Sequence, residues 1–323
     1  MTEFPFPLLS TELALEILRL ATTPDFSIDF TQGVNPYALA LKFCRVSSSF
    51  RRAVMPHLLH TVLLTEDRHI HAFIRAILMQ RNPSRLAIDY SRHVKRMWCG
   101  KSCPPLVDEP RDSPFWLDYG ALWEVMRSVE SLAVNFSSLH LLSEGLATER
   151  FDAMEVDGEK EKAVSEWKCR NLTCVGPMWR WKPLSSTMEG SIFLSQIKEL
   201  VMWTPGIPSA NAANPFHSRD IPWLMMKSLT DIGFVVPASE RTLPNKMVVF
   251  QIPKIEETPS ITPLLPVYSP LAPYEPIMDA KEDPRRSVRT LDVKVRGDSG
   301  DVDWERAWAQ RENVIRVCNH VSY

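Results

Sequence analysis

The feature that most constrains this chain is a recurring hexad of the form apolar-x-x-apolar-x-apolar. Val94-Lys95-Arg96-Met97-Trp98-Cys99 is one copy, and Val129 to Val134, Cys169 to Cys174 and Ile197 to Met202 repeat it. A looser fifth copy runs from Met226 through Leu229 to Asp231 and Ile232. The central residues Met97, Leu132, Leu172, Leu200 and Leu229 are separated by steps of 35, 40, 28 and 29. The end of each hexad alternates, which suits a strand, because successive side chains on a strand point to opposite faces. Between the copies lie stretches with helical periodicity, at about 116–127, 138–148, 185–195 and 218–225. Strand and helix in alternation predict an α/β chain built on parallel strands.

The last two steps approach the period of roughly 20–29 residues that belongs to leucine-rich repeats. The longer steps carry visible insertions, Lys101 to Pro114 and Glu149 to Glu166. Residues 65–323 therefore resemble a short, irregular leucine-rich-repeat-like α/β solenoid, without the asparagine of the usual repeat. Past Pro237 the hexads stop. Ten of the 26 prolines lie between Pro237 and Pro284, which predicts a proline-rich loop at about 253–287. Lys246 to Ile252 and Val288 to Val295 read as further strands. Asp301 to Asn319 reads as a closing helix with Trp304, Trp308, Arg311 and Ile315 at helical spacing. A solenoid must cover its last apolar face, so this is the expected C-terminal capping helix.

The N-terminal 64 residues have a different character. Ser10 can cap a helix to about Leu20, with Glu12 in its first turn. Leu9, Leu13, Ile17 and Leu20 fall at helical spacing, and Leu15 and Leu18 widen the apolar arc. A loop from Thr22 to Pro36 leads to a second helix over about Tyr37 to Phe50, and Pro56 marks a short third helix before the extended run Thr61 to Leu64. So small a unit cannot bury that whole arc, and surplus apolar surface marks an interaction face.

These residues resemble an F-box. Leu9, Glu12, Leu13, Ile17 and Leu18 match its first helix, while Cys44-Arg45-Val46 and Phe50-Arg51 match the second part. Ser10 stands where that family usually carries proline, Phe50 where it usually carries tryptophan, and the loop after the first helix is longer than usual. The style of the whole chain is similar to the F-box-like families of mushroom-forming fungi. The resemblance implies a three-helix adaptor-binding module at 1–64. It further implies a substrate receptor that bridges a Skp-type adaptor, and through it a cullin, to a target protein. Leu9, Glu12, Leu13, Glu16, Ile17, Leu18, Val46 and Phe50 would form the adaptor face. A second reading is an interaction scaffold whose F-box-like helices bind no adaptor.

Nothing in the sequence argues for catalysis. The chain has 11 glycines and lacks Gly-x-Gly-x-x-Gly, phosphate-loop and Gly-x-Ser-x-Gly patterns. Cys99 and Cys103 have zinc-compatible spacing but no matching second pair, and Cys99, Cys169 and Cys174 occupy apolar hexad positions, so they are expected in the core. His57, His60, His69 and His71 read as solvated surface. No metal or cofactor is expected. A net charge of −2 gives no reason to expect nucleic acid or an anionic membrane as partner. The absence of a basic leader or a long apolar run predicts a chain of the cytoplasm or nucleus. Trp179, Trp181 and Trp203 closely follow their strands and are the candidates for holding a target, since tryptophan anchors interfaces.

Overall fold

The structure is a computed structural model, and it describes residues 10–24, 26, 35–81, 87–102, 118–154, 167–176, 180–203, 221–236, 246–251, 286–290, 295–296, 301–302, 305 and 308–309. The chain is mixed α/β around a parallel sheet. Three helices come first: α1 (Thr11–Thr22), α2 (Ala38–Phe43) and α3 (Ser48–His60). The sheet and its helices follow in the order β1 (Thr61–Leu64), α4 (Asp67–Arg81), α5 (Tyr90–His93), β2 (Arg96–Cys99), α6 (Gly120–Ser128), β3 (Ser131–Asn135), α7 (Leu139–Met154), β4 (Asn171–Val175), α8 (Lys182–Ser185), α9 (Met188–Ser195), β5 (Glu199–Trp203) and β6 (Asp231–Val236). These six strands are parallel and lie in chain order. β7 (Lys246–Gln251) and β8 (Arg286–Thr290) then extend the sheet as antiparallel neighbours. A separate pair, β9 (Val295–Arg296) and β10 (Asp301–Val302), is antiparallel. Most of the proline-rich loop expected at about 253–287 lies outside the described residues.

The hexads set the register. Met97, Leu132, Leu172 and Leu200 stand opposite one another across β2 to β5. At both ends the sheet extends or corrects the repeat. Leu200 faces Ile232, not Leu229, so the fifth copy is Leu229-x-x-Ile232-x-Phe234, three residues later than the looser match. Val62 faces Met97, and Leu59-x-x-Val62-x-Leu64 is an earlier copy that sequence reasoning assigned to the N-terminal unit. Entry into the strands is equally regular. The Lys95 carbonyl accepts from the amides of Glu130 and Ser131, Glu130 from Arg170 and Asn171, Arg170 from Lys198 and Glu199, and Lys198 from Thr230 and Asp231. One carbonyl joining two successive amides of the next strand fixes each repeat on its predecessor.

A parallel sheet needs both faces covered. On one face the hexad side chains meet the helices in a single core. That core contains Ile70, Ile74, Leu122, Met126, Leu141, Leu142, Phe193 and Leu194 with Met97, Leu132, Leu172 and Leu200. The opposite face carries a second, smaller cluster of Phe26, Trp98, Ala133, Val175, Val201, Trp308 and Ala309. The closing segment therefore differs from expectation. Trp308 and Ala309 are helical, but they lie on the open face at β2 rather than over the last strand, because Trp98 there offers an aromatic surface that needs covering. The strand expected at Val288 to Val295 is likewise split between β8 and β9.

The N-terminal helices also differ in their boundaries. Residues 44–47 break the expected second helix, and the Ser47 hydroxyl accepts from the Phe50 amide at 3.2 Å to start α3. Pro56 lies inside α3 instead of opening a further helix. α1 begins as predicted, with the Ser10 hydroxyl accepting from the Leu13 amide at 3.3 Å.

Candidate functional site

α1 is apolar on two sides. Leu18 and Thr22 turn inward, and Leu18 packs with Ala40 and Val54 in a small separate core that Phe43 and Phe50 flank. Leu13, Ile17 and Leu20, spaced i, i+4 and i+7, turn outward at 56%, 39% and 63% exposure. Leu15 on α1, Leu39 and Leu41 on α2, and Val46 in the turn before α3 are also exposed. Of the 11 large apolar side chains exposed among the described residues, seven lie between Leu13 and Val46. The charged side of α1 is self-contained. Arg19 donates to both carboxylate oxygens of Glu16, at 2.8 Å and 2.6 Å, which holds the Glu16 carboxyl below its usual range. Glu12 is lowered too, by its own backbone amide and by the Ser10 hydroxyl.

The residues expected on an adaptor face differ in their exposure. Glu12, Leu13, Glu16, Ile17 and Val46 are on the surface. Leu18 is interior, because it is the side chain through which α1 packs on its neighbours, so it cannot meet a partner. Phe50 is half-buried and stacks on Phe43 with ring centroids 5.9 Å apart. Leu9 lies outside the described residues. Leu20, Leu39 and Leu41 complete the exposed surface but were absent from the predicted face. Leu20 was legible, since it continues the Leu13/Ile17 spacing. Leu39 and Leu41 were not, because α2 is too short to show which side it buries.

Of the three candidate target-binding tryptophans, Trp181 turns inward. Trp181 is 6% exposed and belongs to the main core beside Leu184, because α8 starts directly after it and folds it under the sheet's helical side. Trp203 ends β5, paired in register with Val175 and Val235. Trp179 lies outside the described residues.

The cysteines are where the hexads put them. Cys99, Cys169 and Cys174 lie in the main core. Burial pushes the Cys99 and Cys169 thiols up to about 12 and that of Cys174 well above its ordinary value. These are neutral, unreactive thiols, whereas metal binding requires the thiolate. Cys103 lies outside the described residues. Of the histidines, His57 is half-buried and its pKa is lowered, first by burial and then by the nearby Arg19. Among the described residues no group of three or more His, Cys, Asp or Glu side chains is placed to hold a metal ion, and no helix is long and apolar enough to cross a membrane.

The linkage between the N-terminal helices and the sheet was invisible in the sequence. α3 runs directly into β1. The long loop after α1 places Phe26 in the open-face cluster, where its ring meets Tyr37 edge-on at 5.9 Å. The Tyr37 hydroxyl donates to the Thr61 carbonyl at 3.0 Å. Phe26 and Tyr37 thus tie the N-terminal helices to the sheet.

No family model matches the chain, and neither a curated protein nor a solved structure does.

Proposed function

We propose that this chain is the substrate-receptor subunit of an SCF-type, cullin-RING ubiquitin ligase. Helices α1–α3 would act as an F-box-like module that docks a Skp-type adaptor. The sheet and its helices would act as a leucine-rich-repeat-like body that holds a target. The observation that carries this reading is the concentration of exposed apolar side chains on α1, α2 and the turn at Val46. The small core of Leu18, Ala40 and Val54 leaves those side chains uncovered. Surplus exposed apolar side chains of this kind mark interaction sites. The mechanism needs no bond chemistry in this chain. Holding adaptor and target on one body raises the effective concentration of the target near the ligase, to the order of millimolar for a short connection.

The test is direct titration of the full-length chain with a purified Skp-type adaptor. The wild-type chain is expected to bind. Leu13→Asp combined with Ile17→Asp is expected to abolish binding while the far-ultraviolet circular dichroism stays unchanged. Failure of the wild-type chain to bind would favour a scaffold whose F-box-like helices serve only its own architecture. Binding that survives the double change would mean that the adaptor uses another face.

A further inference from the structure

The exposed apolar side chains of α2 and the turn after it stand among charges of one sign. Leu39 and Leu41 of α2 are 48% and 43% exposed, and Val46 in the turn is 65% exposed. Lys42 and Arg45 lie between them in sequence, and both are exposed. Leu39 and Lys42 are three residues apart on α2, a spacing that brings two helical side chains to one side. From Asn35 to Thr65 the chain holds Lys42, Arg45, Arg51 and Arg52 and no Asp or Glu, although acids outnumber bases over the whole chain by 39 to 37. Neither Lys42 nor Arg45 forms an ion pair among the described residues.

α1 is different. Its exposed leucines are accompanied by Glu12, Glu16 and Arg19, and Arg19 already answers Glu16 at 2.6 Å. The cations after α2 have no such answer within the chain. Part of this has a local reason, because Lys42 is in the last turn of α2, where a helix end favours positive charge. Arg45 lies beyond that helix, in the turn, and the local reason does not reach it. Uncompensated cations beside exposed apolar side chains complement a partner whose own apolar residues are bordered by carboxylates. Charges at the border of an interface steer the approach and reject partners of the wrong sign. An anionic membrane surface suits the region less well, since it would also have to approach the exposed Glu12 and Glu16 beside Leu13 and Ile17.

We infer that the protein docking on these helices presents an acidic amphipathic segment, with apolar side chains against Leu39, Leu41 and Val46 and carboxylates beside Lys42 and Arg45. The inference rests on the adaptor reading of the N-terminal helices. It adds to that reading the chemistry of the partner and two residues, Lys42 and Arg45, that the F-box resemblance did not place on the adaptor face. The apolar contacts and the ionic contacts are separable by salt. Attraction between exposed charges is screened beyond about 10 Å at 0.1 M ionic strength and beyond about 3 Å at 1 M, whereas apolar burial is not screened. The ionic half must therefore fade as salt rises while the apolar half persists.

The experiment titrates the full-length chain with a purified Skp-type adaptor at low and high salt, about 0.05 M and about 0.5 M. Wild type is expected to bind about ten-fold more weakly at the higher salt. Lys42→Glu with Arg45→Glu should weaken binding at the lower salt by about ten-fold or more and remove the salt dependence. Lys42→Gln with Arg45→Gln should fall between the two, and it decides the matter if circular dichroism shows the glutamate pair unfolded. Adaptor binding indifferent to salt and to these substitutions would overturn the acidic-partner inference and leave the adaptor reading standing. A wild-type chain that binds no adaptor at either salt would remove both. Vesicles of phosphatidylserine and phosphatidylcholine supply the remaining arm. Sedimentation of wild type with them at low salt, lost in the glutamate pair and unaccompanied by adaptor binding, would assign Lys42 and Arg45 to an anionic lipid surface and overturn the inference.

Discussion

Leu13 in α1 and Leu132 in β3 are the same side chain under opposite conditions, one 56% exposed and the other fully buried. The contrast extends to the elements that carry them. β2 to β5 alternate so that each strand gives one set of side chains to the helices and another to the open face, where Trp98, Ala133, Val175 and Val201 are buried. Helices α1 to α3 enclose only a small core around Leu18, Ala40 and Val54 and leave apolar residues facing water. Among the described residues, buried apolar side chains are therefore concentrated in the sheet and its helices, while exposed ones are concentrated between Leu13 and Val46. A region that buries most of its apolar side chains has them explained by folding. One that does not requires a different account.

The sharpest way to break this comparison is to remove packing where it is densest. Leu132→Ala deletes a fully buried side chain between β2 and β4, where α6 and α7 supply the facing core. It is expected to cost about 2–5 kcal/mol, read from chemical denaturation, because a surrounding sheet relaxes only partly into the cavity. A loss below about 1 kcal/mol would mean that the sheet is far looser than its burial indicates.

How much of this was legible in the sequence follows the same division. The hexads located β2 to β5 and their register because each strand is buried on its helical face, and a one-residue slip would expose the whole set. Leu59-Val62-Leu64 escaped because it abuts α3 with no turn between helix and strand. Leu229-Ile232-Phe234 was misaligned by three because Met226 is also apolar and buried, so the pattern offered two registers. In the candidate docking face, Leu13 and Ile17 were legible from spacing. Leu18 was not, since an apolar arc that wraps the helix does not reveal which side packs inward. The Arg96–Trp308 contact was beyond reach: it joins residues more than 200 positions apart and leaves no periodic trace.

A second way to sharpen the comparison is through proton linkage. Cys99 is fully buried, and its thiol is pushed up to about 12 by burial, against an ordinary value of 9.0. A raised folded-state value means that the folded chain keeps its proton when the unfolded chain loses it. The associated stability is fully present below about pH 9 and is lost as pH rises towards about 12. Each such thiol steepens the decline by about 1.4 kcal/mol per pH unit within that window. Cys99→Ala should therefore flatten the alkaline decline in unfolding free energy by that amount relative to wild type. An unchanged slope would mean that Cys99 meets solvent in the folded chain.

The smallest expected effect bears hardest on function. Leu13→Ala removes a side chain that turns away from Leu18 and the module's core, and alanine suits a helix at least as well as leucine. The change in unfolding free energy should stay within about 0.5 kcal/mol, as for surface positions generally. Such a result would leave the apolar character of Leu13 without a folding reason, which is what a docking face requires. A loss of 2 kcal/mol or more would instead show Leu13 packed in the folded chain. The surplus surface on α1 would then shrink to Leu15, Ile17 and Leu20, and the adaptor reading would lose part of the observation that carries it.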